Sequence, residues 1–217
     1  MGGCADRTPP AADFVGIPRW GAEIEVAMGA ADALGDPASP KTTEEAMSQP
    51  ILGMESTTLL SYLSAQRAHV LGILEGLDEE ALRRPVLPSG WTCVGLVQHL
   101  ALDVERFWFR CVVAGEQTVI DGLAEAGDNA WHVGADVPAE VVFDLYRQEI
   151  DRANAIITAT PLDAAPAWWP PELFGDWRLH DLREIMLHVI TETACHAGHL
   201  DAARELIDGR RWLVLTE

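Results

Sequence analysis

Four side chains of types that bind metal ions lie close together in the stretch ETACHAGHLD, residues 192–201. They are Glu192, Cys195, His196 and His199. Each residue of an α-helix turns about 100° around the helix axis, so these groups and the preceding His188 share one stripe if the stretch is helical. Three interpretations of the stripe are open: a metal site, a pair of groups for general acid–base catalysis, or the polar seam of a buried helix.

A metal site would need a further ligand from elsewhere in the chain, because two groups four residues apart fill only part of a coordination sphere. His99 is the candidate, since it lies on the apolar face of another predicted helix, where an unpaired imidazole is costly. Two such helices packed together would point His99 at Glu192 and His196. Two imidazoles and one carboxylate with open positions suit zinc, nickel or non-haem iron(II).

Hydrophobic periodicity predicts the helices that must position these groups. Thr92 marks the start of one helix, and Asp181 with Glu184 forms the capping box of another. Gly115 and Gly209 mark their ends. Because strand patterns are scarce, the sequence predicts an all-α fold, an antiparallel-type four-helix bundle. The four predicted helices span about residues 55–76, 92–114, 138–160 and 181–207.

Composition limits the domain organisation and the function classes. Residues 1–50 are rich in Gly, Pro, Ala and acidic residues, and we interpret them as a partly irregular N-terminal extension to a bundle domain at residues 51–217. The net charge of −19 argues against a nucleic-acid partner. No apolar run reaches the roughly 18 residues that a membrane span needs, and the first residues lack the apolar core of a secretory signal. A cytoplasmic protein is therefore expected.

The fourth predicted helix, LREIMLHVITETACHAGHLDAARELIDG, resembles the DinB-like superfamily, and in particular its DUF664 branch. The signature there reads roughly L-R-x-x-L-x-H-x-I-x-E-T-A-R-H-A-G-H-x-D-x-x-R-E. The earlier stretch LDEEALRRPVLPSGWTCVGLVQHLALDVERFWF is similar to a second segment of that branch. Together the two blocks cover residues from about 55 to 209. The resemblance implies a DinB-like four-helix bundle in which His99, Glu192 and His196 hold a divalent metal.

The resemblance also implies a chemistry, because superfamily members with assigned activities are mostly thiol S-transferases or isomerases. The mycothiol-dependent maleylpyruvate isomerases resemble this chain in using Glu at the position of Glu192. The expected cofactors are a divalent metal, with zinc preferred and nickel or iron as alternatives, and mycothiol, whose thiol the metal would convert to thiolate. The expected partners are this small-molecule thiol and an electrophilic substrate, and the resemblance leaves a homodimer open.

Several further residues receive roles on this interpretation. His188 would orient Glu192 or a bound water, and His199 would either hydrogen-bond the ligands or serve as an alternate ligand. Cys195, which stands where the branch usually has Arg, either supplies a fourth ligand or fills space. The Trp-rich segment before the last helix, which includes Trp177, either caps the mouth of the site or plugs the end of the core. Weaker candidates for cofactor binding are Arg106, Arg178, Arg183 and Trp177.

Two other functions stay open at this level. One is a metal-dependent hydrolase or biosynthetic tailoring enzyme that activates water in place of a thiol. The other is a metal-binding stress protein without turnover, in which His199 or Cys195 would close the coordination sphere.

Overall fold

The computed structural model describes residues 53–123 and 130–212 of the chain. The N-terminal extension predicted for residues 1–50 lies outside the described residues, so its boundary and role stay predictions. All regular structure in the described ranges is helical, which confirms the predicted all-α class. The elements are α1 (Met54–Leu74), α2 (Glu79–Arg83), α3 (Cys93–His99), a π-helical segment (Leu100–Val113), α4 (Gln117–Leu123), α5 (Ala139–Ala159), α6 (Pro171–Phe174) and α7 (Leu182–Asp208).

Local capping chemistry sets the starts of α3 and α7 and the end of α7. The hydroxyl of Thr92 accepts the backbone N–H of Gly95 over 3.1 Å at the start of α3. At the start of α7 the carboxylate of Asp181 accepts the N–H of Glu184 over 2.9 Å. The side chain of Glu184 reaches back to the N–H of His180, one residue before the position expected in a capping box. Gly209 ends α7 with a φ of +79°, a conformation that costs other residues strain.

The predicted connections contain three short helices that periodicity did not reveal. α2, α4 and α6 are seven residues long or less, too short for a 3.6-residue repeat to emerge. α2 is nevertheless capped, because the carboxylate of Asp78 accepts the N–H of Ala81 over 2.8 Å. Within the described residues no helix is both long and apolar enough to cross a membrane.

α1 and α7 lie side by side and run in the same direction. Near their starts, Arg183 of α7 donates to Glu55 of α1 over 2.6 Å. Near their ends, Arg204 of α7 donates to the carbonyl of Ile73 in α1 over 2.7 Å. A parallel pair of this kind differs from the antiparallel-type arrangement that the sequence suggested.

α5 and the helix formed by α3 and the π segment also share a direction. The N–H of Ala139, which begins α5, donates to Glu79 of α2, just ahead of α3. Beyond the other end of α5, the N–H of Trp168 donates to the carbonyl of Val112 at the end of the π segment. The end of the π segment and the start of α5 therefore lie at opposite ends of the bundle, and a long connection between consecutive helices permits parallel neighbours. The pair of α1 and α7 runs antiparallel to the pair of α5 and the helix formed by α3 and the π segment.

A buried ion pair ties three of the long helices together. Arg67 of α1 donates through Nε and Nη2 to both carboxylate oxygens of Glu105 in the π segment, each over 2.6 Å. A third nitrogen of Arg67 donates to Asn154 of α5 over 2.8 Å. The Arg67 and Glu105 side chains are 3% and 1% exposed. Because such charges are stable in a core only when they are paired and hydrogen-bonded, these contacts fix the helices relative to one another.

Candidate metal centre

Three potential ligands from two helices converge in the bundle. His99 lies on α3, and Glu192 and His196 lie one turn apart on α7. Each offers one ligand atom, and the three atoms lie within 4.8 Å of one another. His99 is buried, and the side chains of Glu192 and His196 are 16% and 14% exposed. The structure thus brings together the three residues that spacing and resemblance selected.

The antiparallel packing of α3 against α7 produces this convergence. The His99 and His196 ring centroids lie 5.0 Å apart with the rings nearly perpendicular. Glu192 and His196 share a face because positions i and i+4 are neighbours on an α-helix. His99 is the last α-helical residue before the π segment, in which bonds run from residue i to i−5, as from the N–H of Ala114 to the carbonyl of Phe109.

The electrostatics of the cluster favour a neutral imidazole at His196. Burial, reinforced by the neighbouring His99 and His199, lowers the pKa of His196 to about 3. Burial raises the pKa of the Glu192 carboxyl, an effect that His99 partly opposes. At neutral pH the ring of His196 is therefore uncharged, and it keeps a lone pair that can bind a cation.

The donor set fits a divalent cation. Nδ1 of His196 is buried and has no hydrogen-bond partner among the described residues, and Nε2 of the same ring lies 3.9 Å from Oε2 of Glu192, too far for a hydrogen bond. The ring therefore lacks a polar partner for its buried nitrogen, which costs free energy in the protein alone. The partly buried carboxylate of Glu192, beside the neutral ring of His196, is likewise stabilised by a positive charge placed between them. Zinc accepts this combination of nitrogen and oxygen ligands. The group of His99, Glu192 and His196 could therefore bind a metal ion.

The family of the chain follows from a comparison with family models. The model of the mycothiol-S-transferase family matches residues 58–209, which include α3, the π segment, α5 and α7. The chain belongs to the mycothiol S-transferase family. This match confirms the resemblance to the DinB-like superfamily. No curated protein and no solved structure in the two other comparisons matches the chain.

In this mycothiol S-transferase family member, the other groups of the α7 stripe lie around the three-residue cluster. Nε2 of His188 is 4.0 Å from Oε1 of Glu192, and burial lowers the pKa of His188 to about 4. The ring of His199 lies 5.6 Å from that of His196, but His199 is exposed. Cys195 is also exposed. Within the described residues neither joins the group of three converging donors.

The Trp-rich segment before α7 reaches the cluster through His188. The ring of Trp177 lies 5.5 Å from His188, and Trp108 meets the same imidazole at 4.6 Å. Behind these two rings lies an aromatic cluster with the further members Phe107, Trp168, Trp169 and Phe174. The aromatic cluster therefore packs against the core and also borders the candidate metal site. It is compatible with both roles predicted for the Trp-rich segment, a cap over the mouth of the site and a plug at the end of the core.

The three arginines predicted as weak cofactor-binding candidates are already engaged. Arg106 donates to the buried Glu149 over 2.9 Å. Arg183 pairs with Glu55 at the start of α7. The guanidinium of Arg178 lies 5.7 Å from the ring centre of Trp169, a cation–π distance. Their role in cofactor binding stays a prediction.

Two residues that sequence reasoning missed touch His99. Asp103 approaches Nδ1 of His99 to 2.8 Å, and Trp131 stacks on the imidazole ring. Asp103 was detectable, because it stands four residues after His99 on the same predicted helix. Trp131 could not be detected from the sequence, because it lies in a connection without helical periodicity. The position of such a connection depends on the tertiary fold.

Proposed function

We propose that the protein is a metal-dependent S-transferase that uses a low-molecular-weight thiol of the mycothiol type, with His99, Glu192 and His196 as the metal ligands. One observation carries the proposal: these ligand atoms lie within 4.8 Å of one another inside a chain of the mycothiol S-transferase family. Three protein ligands leave a position for a thiol or another small ligand, as in catalytic zinc sites.

The roles of the chain's own residues follow from their positions. The carboxylate of Glu192 supplies negative charge, and the imidazoles of His99 and His196 supply nitrogen ligands. A divalent metal, when bound, would lower the pKa of a thiol so that the thiolate is available for attack on an electrophile. His188 and the rings of Trp108 and Trp177 line the site beside Glu192 and limit the access of water.

The chain's own buried thiols are poor nucleophiles, which supports an external thiol. Burial raises the pKa of Cys93 and that of Cys111 to about 11. Both groups are protonated at neutral pH, and the thiolate is the reactive form. Neither Cys93 nor Cys111 would therefore supply a nucleophilic sulfur at neutral pH. The exposed positions of Cys195 and His199 give no support to a closed four-ligand site for metal storage.

Metal analysis and thiol binding test the proposal together. The purified full chain should bind about one equivalent of zinc, by analogy with three-ligand zinc sites, and the zinc-loaded protein should bind mycothiol in a calorimetric titration. His196→Ala should abolish both signals. His180→Ala is the matched control, because His180 is 74% exposed and pairs with Glu184 instead. Zinc binding that survives in His196→Ala, or a zinc-loaded wild type that binds no mycothiol, would contradict the proposal.

A further inference from the structure

Two groups hold His99 from two directions. Trp131 stacks on the imidazole, with ring centroids 4.2 Å apart and an interplanar angle of 18°. Asp103 lies 2.8 Å from Nδ1. A carboxylate at this distance accepts a hydrogen bond, so Nδ1 carries the proton and Nε2 keeps the lone pair. The ring of Trp131 also lies 5.7 Å from that of His196 in a T-shaped arrangement, so it contacts both imidazoles.

The backbone around Trp131 is fixed on α3 by a close approach at Gly95. A Cβ added at Gly95 would lie 2.2 Å from the carbonyl oxygen of Trp131, a distance that no side chain tolerates. One turn further along α3, Gln98 donates its amide to the carbonyls of Ala130 and His132 over 2.8 and 3.3 Å. Because Gly95, Gln98 and His99 lie on the same short helix, the surface that carries the imidazole also holds the tryptophan.

A second anchor comes from α2. Arg83 donates to the carbonyls of Val133 and Gly134 over 3.4 and 3.3 Å, and also to the carbonyl of Val137. These bonds satisfy polar backbone groups of residues 133–137, which are outside any helix. The loop of residues 130–137 is therefore held at both ends, and Trp131 is placed by the fold and not by its own local sequence.

We propose that Trp131 and Asp103 are positioning residues that fix the ring plane and the tautomer of His99, so that Nε2 is presented to Glu192 and His196. Asp103 sets which nitrogen carries the proton, and Trp131 prevents the ring from turning about its Cβ–Cγ bond. This inference rests on the proposed function for its consequence in metal affinity. The orientation of His99 is a property of the metal-free protein.

The zinc affinity of the full chain tests whether Trp131 and Asp103 strengthen metal binding by orienting His99. Loss of a partner that orients a metal-binding histidine costs about 10–100-fold in affinity, so Trp131→Ala and Asp103→Ala should each weaken zinc binding by at least about tenfold. Trp131→Phe keeps an aromatic face and should restore most of that loss, whereas Trp131→Leu keeps only apolar bulk and should not. Far-UV circular dichroism and thermal melts verify that each variant is folded. Wild-type affinity in both alanine variants would overturn the proposal.

A glycine substitution away from the cluster supplies an independent variant. Gly95→Ala forces the backbone at Trp131 to move, so it should weaken zinc binding although residue 95 offers no ligand. Gly122→Ala is the matched control, because a Cβ at this helical glycine meets nothing within 4 Å. A folded Gly95→Ala protein with unchanged zinc affinity would count against the role of Trp131.

Ring-nitrogen NMR of the metal-free protein separates this inference from the proposed function. With assignment through His99→Gln, wild-type protein should show the proton of His99 on Nδ1, and Asp103→Ala should move the population towards Nε2–H. An Nε2–H ring in wild type overturns the positioning proposal whether or not zinc binds. If wild type binds no zinc, the proposed function fails, and the nitrogen spectrum still decides the orientation of His99.

Discussion

Nε2 of His196 lies 3.9 Å from Oε2 of Glu192, although the two residues are neighbours on one face of α7. This distance exceeds that of a hydrogen bond. Two donors each about 2.1 Å from one zinc ion lie roughly 3–4 Å apart in tetrahedral geometry. The spacing of this pair is therefore closer to that of two ligands of one cation than to that of a hydrogen-bonded pair.

Replacement of the Glu192 carboxylate by an amide should lower the zinc affinity without lowering the stability of the metal-free protein. Glu192→Gln keeps the shape of the side chain and removes its charge, so zinc affinity should fall by at least about tenfold. Burial raises the pKa of Glu192 above its ordinary value, which means that the charged form destabilises the folded metal-free protein at neutral pH. The metal-free variant should therefore be at least as stable as wild type in urea unfolding.

A matched carboxylate on the same helix controls this experiment. Glu205 lies on the exposed side of α7 and pairs with Arg211. Glu205→Gln should leave zinc affinity unchanged. A Glu192→Gln protein that binds zinc as wild type does would remove Glu192 from the ligand set.

Acidification should destabilise the metal-free protein. The pKa values of His188 and His196 are lowered to about 4 and about 3, below the ordinary value of about 6.5. As pH falls below 6.5 the unfolded chain takes up protons that the folded protein does not bind, so the free energy of unfolding falls, by on the order of 2 kcal/mol per histidine at pH 5. Urea unfolding at pH 7 and pH 5 measures the effect.

The variant His188→Phe attributes part of that pH dependence to one group. It removes a buried titrating ring beside Trp108 while keeping a ring of similar shape. The difference in unfolding free energy between pH 7 and pH 5 should be smaller in this variant than in wild type. An equal difference would show that His188 does not contribute to the acid response.

The buried ion pair of Arg67 and Glu105 should be costly to break on one side only. Arg67→Met leaves a carboxylate uncompensated in the core and should lower the free energy of unfolding by about 3–5 kcal/mol. The double variant Arg67→Met with Glu105→Leu removes both charges and should recover most of this loss. Arg152→Met, at a half-exposed arginine on α5, should cost much less. A double variant no more stable than Arg67→Met would contradict this account.

Substitution of the exposed cysteine should leave the metal site intact. Cys195 lies three residues after Glu192, but it is exposed and is not one of the converging donors. Cys195→Ser should therefore keep the zinc affinity of wild type. The cobalt-substituted wild type should show no intense thiolate-to-metal absorption in the near ultraviolet. A thiolate band that disappears in Cys195→Ser would make this residue a ligand.

Much of the site follows from local sequence alone. Positions i and i+4 of a helix share a face whatever surrounds them, so the pairing of Glu192 with His196 needs only a helical α7. Asp181 and Gly209, through their capping chemistry, predict the limits of that helix to within two residues. The choice of His99 required one further physical argument, the cost of an unpaired imidazole on an apolar face. The choice of Glu192 and His196 over Cys195 and His199 rested on the resemblance to the DinB-like superfamily.

The tertiary structure decided what depends on contacts between distant residues. The shared direction of α1 and α7 appears only in pairs such as Arg183 with Glu55, which lie 128 residues apart. The stacking of Trp131 on His99 depends on how residues 130–137 cross α3. Helical periodicity is a property of neighbours in the chain, whereas the path of a loop and the direction of a packed helix are set by long-range contacts, which leave no periodic signal in the sequence.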